Sequence, residues 1–212
     1  EYTIYVGVDC SQLATAVTIL TKRRVHIHYW CAKQTVISVH ATVELHHHPL
    51  PDDEDPRAAI QAWFRGQTWN ASTTQIGVEQ PLADSVAHAQ SQKLYTLDII
   101  EGIRKCGFKV TEIDNMYAKK TWIRFTLLFK RANLPTFMNI VLNNLLSGKS
   151  TDKTQWKWLM YQAWLVKGLP IIGGNKPKAK TAAIYGHPLS DIVDSYAMAF
   201  YVAALDFFGP LT

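Results

Sequence analysis

Four carboxylates occupy positions where an acid needs a reason to be. Asp9 follows Val6-Gly7-Val8 and Glu79 follows Ile76-Gly77-Val78, each closing a run that reads as a strand. In an α/β sheet, residues at the carboxyl ends of strands face the crevice where ligands bind. Parallel neighbours would therefore bring these two acids to one edge. Asp191 and Asp194 are spaced i, i+3 beside an apolar stripe of Ile192, Val193, Ala197, Met198 and Tyr201, which puts both on one face of a helix. Like charges gathered at one point cannot all stay ionised unless cations neutralise them. Oxygen-only ligands point to hard ions, Mg²⁺ or Mn²⁺. Two such ions about 3.5–4 Å apart activate water and stabilise the leaving oxygen in an in-line displacement at phosphorus. Singly, each acid also has a structural reading: Asp9 as a turn former, Asp191 as a partner of the helix dipole, Glu79 as a salt-bridged residue.

The elements that must hold these acids are legible as hydrophobic patterns. Residues 2–10, 14–20 and 24–32 read as three successive strands with short links, hence antiparallel, and 35–45 as an extended continuation. Residues 46–56 (HHHPLPDDEDP) read as a polar, acidic loop. A short helix is expected over 56–64, a buried strand over 74–79, a long helix over 84–105 ended by Gly107, and a strand over 108–113. Helices are then expected over 122–130, 135–146, 152–166 and 189–207, with a flexible basic loop at 168–180. This α/β order matches a ribonuclease H-like fold: a mixed five-stranded sheet, three antiparallel strands first, flanked by helices.

Composition bounds the reading further. The chain has 212 residues, 48% hydrophobic and 18% charged, which suits one domain with a sizeable core and excludes a collagen-like, coiled-coil or disordered chain. Its net charge is +5 and it is unevenly spread. Residues 116–186 hold twelve basic residues and one acid, Asp152, for +11; the ten basic and sixteen acidic residues elsewhere give −6. The same segment carries Trp122, Trp156, Trp158 and Trp164, an interleaving that suits a phosphate backbone with bases to stack on, or equally a basic face over a tryptophan-rich core. Cys10, Cys31 and Cys106 form no CxxC pair, which predicts buried thiols in a reducing compartment such as the cytoplasm. No stretch is long and apolar enough to span a membrane. The start at Glu1, directly before an apolar run, predicts a trimmed N-terminus. His46-His47-His48 beside Asp52-Asp53-Glu54-Asp55 reads as a solvated loop that could also bind metal, and His187 stands four residues before Asp191, within reach of the same site.

The order of the acids is where a family comes into view. GVD at 7–9, IGVEQ at 76–80 and DIVDSYAMA at 191–199 resemble the RuvC-like Holliday junction resolvases, in which the glutamate closes a strand instead of sitting on the first helix as in ribonuclease H proper. Ala118-Lys119-Lys120-Thr121 is similar to the family's VKQT-like segment with its active-site lysine, and Asp152-Lys153-Thr154-Gln155 resembles its EKSQ-like helix start. The chain departs from the family at Cys10-Ser11-Gln12, where a glycine-rich turn is common. It departs again at Pro81-Leu82, where bacterial members carry a wedge aromatic, and in two basic insertions, 125–150 and 168–186.

The resemblance implies a single nuclease domain over 1–212 that resolves four-way junctions as a homodimer, in DNA recombination and repair. Asp9, Glu79, Asp191 and Asp194 would hold two Mg²⁺ or Mn²⁺ ions, and Lys119 or Lys120, with Lys153, would stabilise charge on the scissile phosphate. Arg124, Lys130, Arg131, Lys149, Lys157, Lys176, Lys178 and Lys180 would contact DNA backbones. Three alternatives remain at this stage: a ribonuclease H-like nuclease acting on RNA–DNA hybrids or other branched DNA, a non-cutting nucleic-acid-binding protein, and a sugar-kinase- or actin-like ATPase. The last lacks a second glycine-rich phosphate loop.

Overall fold

The computed structural model describes residues 2–12, 14–32, 35–51, 54–81, 87–127, 136–148, 153–173 and 186–210. Three strands, β1 (Ile4–Asp9), β2 (Thr15–Leu20) and β3 (Val25–Cys31), pair antiparallel in sequence order. After a two-residue strand, β4 (Thr35–Val36), the chain returns as β5 (Val43–Pro49) and pairs parallel to β3. Helix α1 (Pro56–Arg65) leads to β6 (Thr74–Glu79), which lies parallel to β1; α2 (Ala87–Lys105) leads to β7 (Val110–Ile113), parallel to β6. The sheet order is β5-β3-β2-β1-β6-β7. This is the expected mixed, ribonuclease H-like α/β sheet, with six strands instead of five.

The sixth strand is β5, and it corrects the sequence reading twice. Residues 43–49 are not a further antiparallel turn of the meander, and His46-His47-His48 lie inside a strand and not in a loop. Polar composition argued for a loop, but alternate side chains of β5 have partners on both faces of the sheet: His47 stacks on Tyr29 at 5.3 Å, and His48 stacks on Trp30 at 4.5 Å. Burial, followed by the neighbouring imidazoles, pushes the pKa of His28, on the same face as Trp30 and His48, down to about 3, so that imidazole is uncharged at neutral pH.

Helices α3 (Asn115–Leu127), α4 (Thr136–Leu146), α5 (Lys153–Val166) and α6 (Leu189–Phe208) complete the described chain. Helix α3 starts seven residues earlier than its apolar pattern suggested, which places Lys119 and Lys120 on a helix. The 168–180 stretch is not wholly loop. Within it β8 (Ile172–Gly173) pairs antiparallel with β4, and the Trp164 indole donates to the carbonyl of Pro170 at 2.7 Å.

Strand alternation sends Val6, Val8, Ile76 and Val78 to one face, where they share a core with Ile60 and Phe64 of α1 and Ile99 and Ile103 of α2. The opposite face carries Ala16, Ile27 and Tyr29, packed with Trp122, Trp164 and Ile192. Trp122, Trp156 and Trp164 are at most 2% exposed and Trp158 packs partly buried against this core, so these tryptophans are core residues, not a stacking surface.

Helix α6 lies on the second face, directly over β1. A Cβ on Gly7 would stand 2.1 Å from the Ser195 carbonyl oxygen and 2.2 Å from the Ala199 nitrogen, both backbone atoms that cannot swing aside. Thr18 and Ser195 pin the crossing with a hydroxyl–hydroxyl bond of 2.8 Å. A Cβ on Gly77 would meet side-chain carbons of Ile113 and Val202, the nearest at 2.3 and 2.5 Å. Gly7→Ala should therefore destabilise by about 3 kcal/mol or more, and by more than Gly77→Ala, whose neighbours can repack. Urea midpoints of the two variants decide it; equal shifts would mean that the α6–β1 crossing can relax.

Candidate active site

The strand register brings the first two acids together. Val8 pairs with Val78, so Asp9 and Glu79 follow at the same carboxyl edge. They alternate with those valines and so project from the face that α6 covers. The first turns of α6 add Asp191 and Asp194. Asp9 is the hub: its buried carboxyl feels the charges of Glu79, Asp191 and Asp194 together.

Side chains from two further elements close the cluster. The Lys119 ammonium, from α3, lies 3.0 Å from Asp194 Oδ2, with only 11% and 16% of the two side chains exposed. Asn115, the first residue of α3, donates from Nδ2 to Glu79 Oε1 at 3.0 Å. His187 Nδ1 bonds Asp191 Oδ2 at 2.5 Å.

Electrostatics follow from this crowding. Burial raises the Asp9 pKa well above the carboxylate range, and the charges of Glu79, Asp191 and Asp194 raise it further, against Lys119. Burial also raises Glu79, opposed by the Asn115 bond, and raises Asp191, opposed by His187. For Lys119, burial works against the charged form, but Asp194, Asp9 and Glu79 outweigh it and hold the ammonium above its ordinary value. The hydrogen bond to Asp191 raises His187.

By its chemistry the donor set fits hard divalent cations, while its carboxylates stand further apart than ligand atoms gathered within 4.8 Å of one another. Four carboxylates meet one buried lysine and one histidine, so negative charge is in surplus. Acceptors are in surplus too: Asn115 Oδ1 is buried and has no hydrogen-bond partner. A cation coordinated by oxygens corrects both deficits at once.

The other residues singled out in the sequence fall into separate groups. Lys120 is one position round the helix from Lys119, so it points away and its ammonium sits 5.8 Å from the Trp156 ring centre. Arg124 and Lys157 are exposed on α3 and α5, and Lys157 is near enough to depress His187. The Lys153 side chain, and Lys130, Arg131, Lys149, Lys176, Lys178 and Lys180, lie outside the described residues. Asn115 was not foreseen. Its signal was positional, since it stands just beyond β7, at the edge that carries Asp9 and Glu79.

Raised carboxyl values carry a sign. Asp9, Glu79 and Asp191 hold protons in the folded chain that the unfolded chain releases, so their contribution to stability is present at low pH and lost as pH rises through their folded-state values. In the presence of a chelator, the melting temperature of the wild type should fall relative to Asp9→Asn as pH rises above the ordinary carboxylate range. A difference that stays flat with pH would contradict the crowding.

No protein-family model matches the chain, and no curated protein sequence matches it. Among solved structures, the chain is similar to Thermus thermophilus RuvC in complex with a Holliday junction substrate, at 11% identity and a TM-score of 0.47, over 98% of this chain and 97% of that one. A second Thermus thermophilus RuvC structure aligns over the same shares, at 12% identity and a TM-score of 0.42.

Proposed function

We propose that the protein is a metal-dependent, structure-selective DNA endonuclease that resolves four-way junctions by paired, symmetric nicks. One observation carries the reading: four carboxylates from three separated segments meet at the carboxyl edge of a parallel strand pair, beside a buried lysine. The order of GVD, IGVEQ and DIVDSYAMA along the chain narrows it from phosphoryl chemistry in general to junction resolution.

In this reading Asp9, Glu79, Asp191 and Asp194 hold two Mg²⁺ or Mn²⁺ ions. Such ions supply an activated water and charge stabilisation at the leaving oxygen. Lys119 keeps a charged ammonium at the floor of the site and offers its remaining N–H donors to a phosphate oxygen. His187 fixes the orientation of Asp191, and Asn115 that of Glu79. Lys120 and Lys153 lie on the helices that flank the site, where their charges favour the approach of a phosphate. The basic residues of 116–186, Arg124 and Lys157 among them, contact DNA backbones within a single domain, and two copies of the chain make the paired cuts.

A labelled four-way junction and a matched linear duplex, each with Mg²⁺ or Mn²⁺, test this directly. Wild type should nick the junction in pairs near its centre, and Asp9→Asn should lose at least about 10³-fold in rate while still binding. Lys119→Met should lower the rate more than Lys120→Met. Binding should weaken steeply with salt, as expected for several phosphate contacts. Equal cutting of RNA–DNA hybrids would move the reading to another nuclease of this fold, and tight junction binding without metal-dependent cutting would overturn the enzyme.

A further inference from the structure

The opposite face of the sheet, at its β3–β5 edge, carries a second cluster of ligating groups. In the parallel register His26 faces Glu44, His28 faces His46, and Trp30 faces His48. The rings of this face form a stack: His28 and His46 lie 4.3 Å apart and nearly coplanar in orientation, and Trp63 of α1 covers His28 at 4.6 Å. At the open end of the stack, Glu44 Oε2 stands 3.2 Å from His26 Nδ1 and 3.8 Å from His46 Nε2. One ligand atom from each of these three residues lies within 4.8 Å of the others, and this is the one such group of three among the described residues.

Hydrogen bonding alone leaves the cluster incomplete. Glu44 can satisfy His26, but His46 Nε2 is buried and has no hydrogen-bond partner. Arg24 takes the other carboxylate oxygen, Oε1, and thereby turns Oε2 toward the two imidazoles. Ligands bonded to a tetrahedral ion at about 2.0–2.1 Å stand about 3.3 Å apart, close to the separations found here without an ion. Two imidazole nitrogens and one carboxylate oxygen suit Zn²⁺ and its neighbours, not Mg²⁺. The three side chains are 30–39% exposed, which leaves a fourth position for water.

We propose that His26, Glu44 and His46 form a transition-metal site for Zn²⁺ or a similar borderline cation, with Arg24 as a positioning residue. The site fastens the edge strand β5 to β3. It lies on the other face of the sheet from the carboxylates and two strands away from β1, so its test does not depend on nuclease activity.

The full chain, stripped with chelator and held in millimolar Mg²⁺, is titrated with Zn²⁺ against a chromogenic chelator, with melting followed in parallel. The expected result is one equivalent more in wild type than in Glu44→Gln or His46→Gln, a melting temperature raised by Zn²⁺ in wild type alone, and about 10-fold weaker binding in Arg24→Ala. His40→Gln, a histidine outside the cluster, should bind as wild type. If the strand variants fail to fold, X-ray absorption on Zn²⁺-loaded wild type decides: two imidazole nitrogens are expected. An all-oxygen shell, or unchanged stoichiometry and affinity in the variants, would overturn the site.

Discussion

Everything at the carboxyl edge depends on how closely α6 can approach β1. The helix backbone rests on Gly7, where no side chain would fit. That contact sets the height of α6 above the sheet and brings Asp191 and Asp194 down to Asp9. A larger residue at position 7 would lift the helix and open the cluster. The hydroxyl bond between Thr18 and Ser195 then fixes the position of the helix over the sheet, since a buried hydroxyl pair is costly to separate.

The close approach has an electrostatic consequence. Hydrophobic burial along α6 and both strands compels like charges into a region of low dielectric, where their repulsion and desolvation oppose folding. The fold tolerates this because Lys119, Asn115 and His187 each satisfy one carboxylate, while Asp9 is held toward its protonated form. Such a cluster is stabilising only in the presence of counter-charge. That makes it a poor structural device, the usual trade between stability and function at a site.

The β3–β5 edge solves a different problem. An edge strand offers unpaired backbone groups along its free side. Here one face is built of stacked imidazole and indole rings, with Trp63 of α1 over His28, and their interactions need no charge. Only at the end of that stack, where Arg24 and Glu44 enter, do the ligating groups acquire a defined geometry. The two clusters thus differ in chemistry for a reason of position: carboxylates at the strand ends, imidazoles with one carboxylate along an edge.

The sequence by itself determined the α/β class, the β6 boundaries, the strand-end positions of Asp9 and Glu79 and the helical spacing of Asp191 and Asp194, because these follow from local periodicity. It also supplied the unequal distribution of charge. Only the tertiary structure decided which strands are neighbours, and hence that the acids meet. The same long-range pairing turned His46-His47-His48 from an apparent loop into a strand, since a polar run forms a strand only if a partner accepts its backbone. It likewise buried Trp122, Trp156 and Trp164, whose surroundings come from distant segments. The choice between Lys119 and Lys120 lay beyond the sequence for a simpler reason. Lys119 and Lys120 are the same residue type and differ by about 100° in direction, and direction has meaning only once α6 is in place.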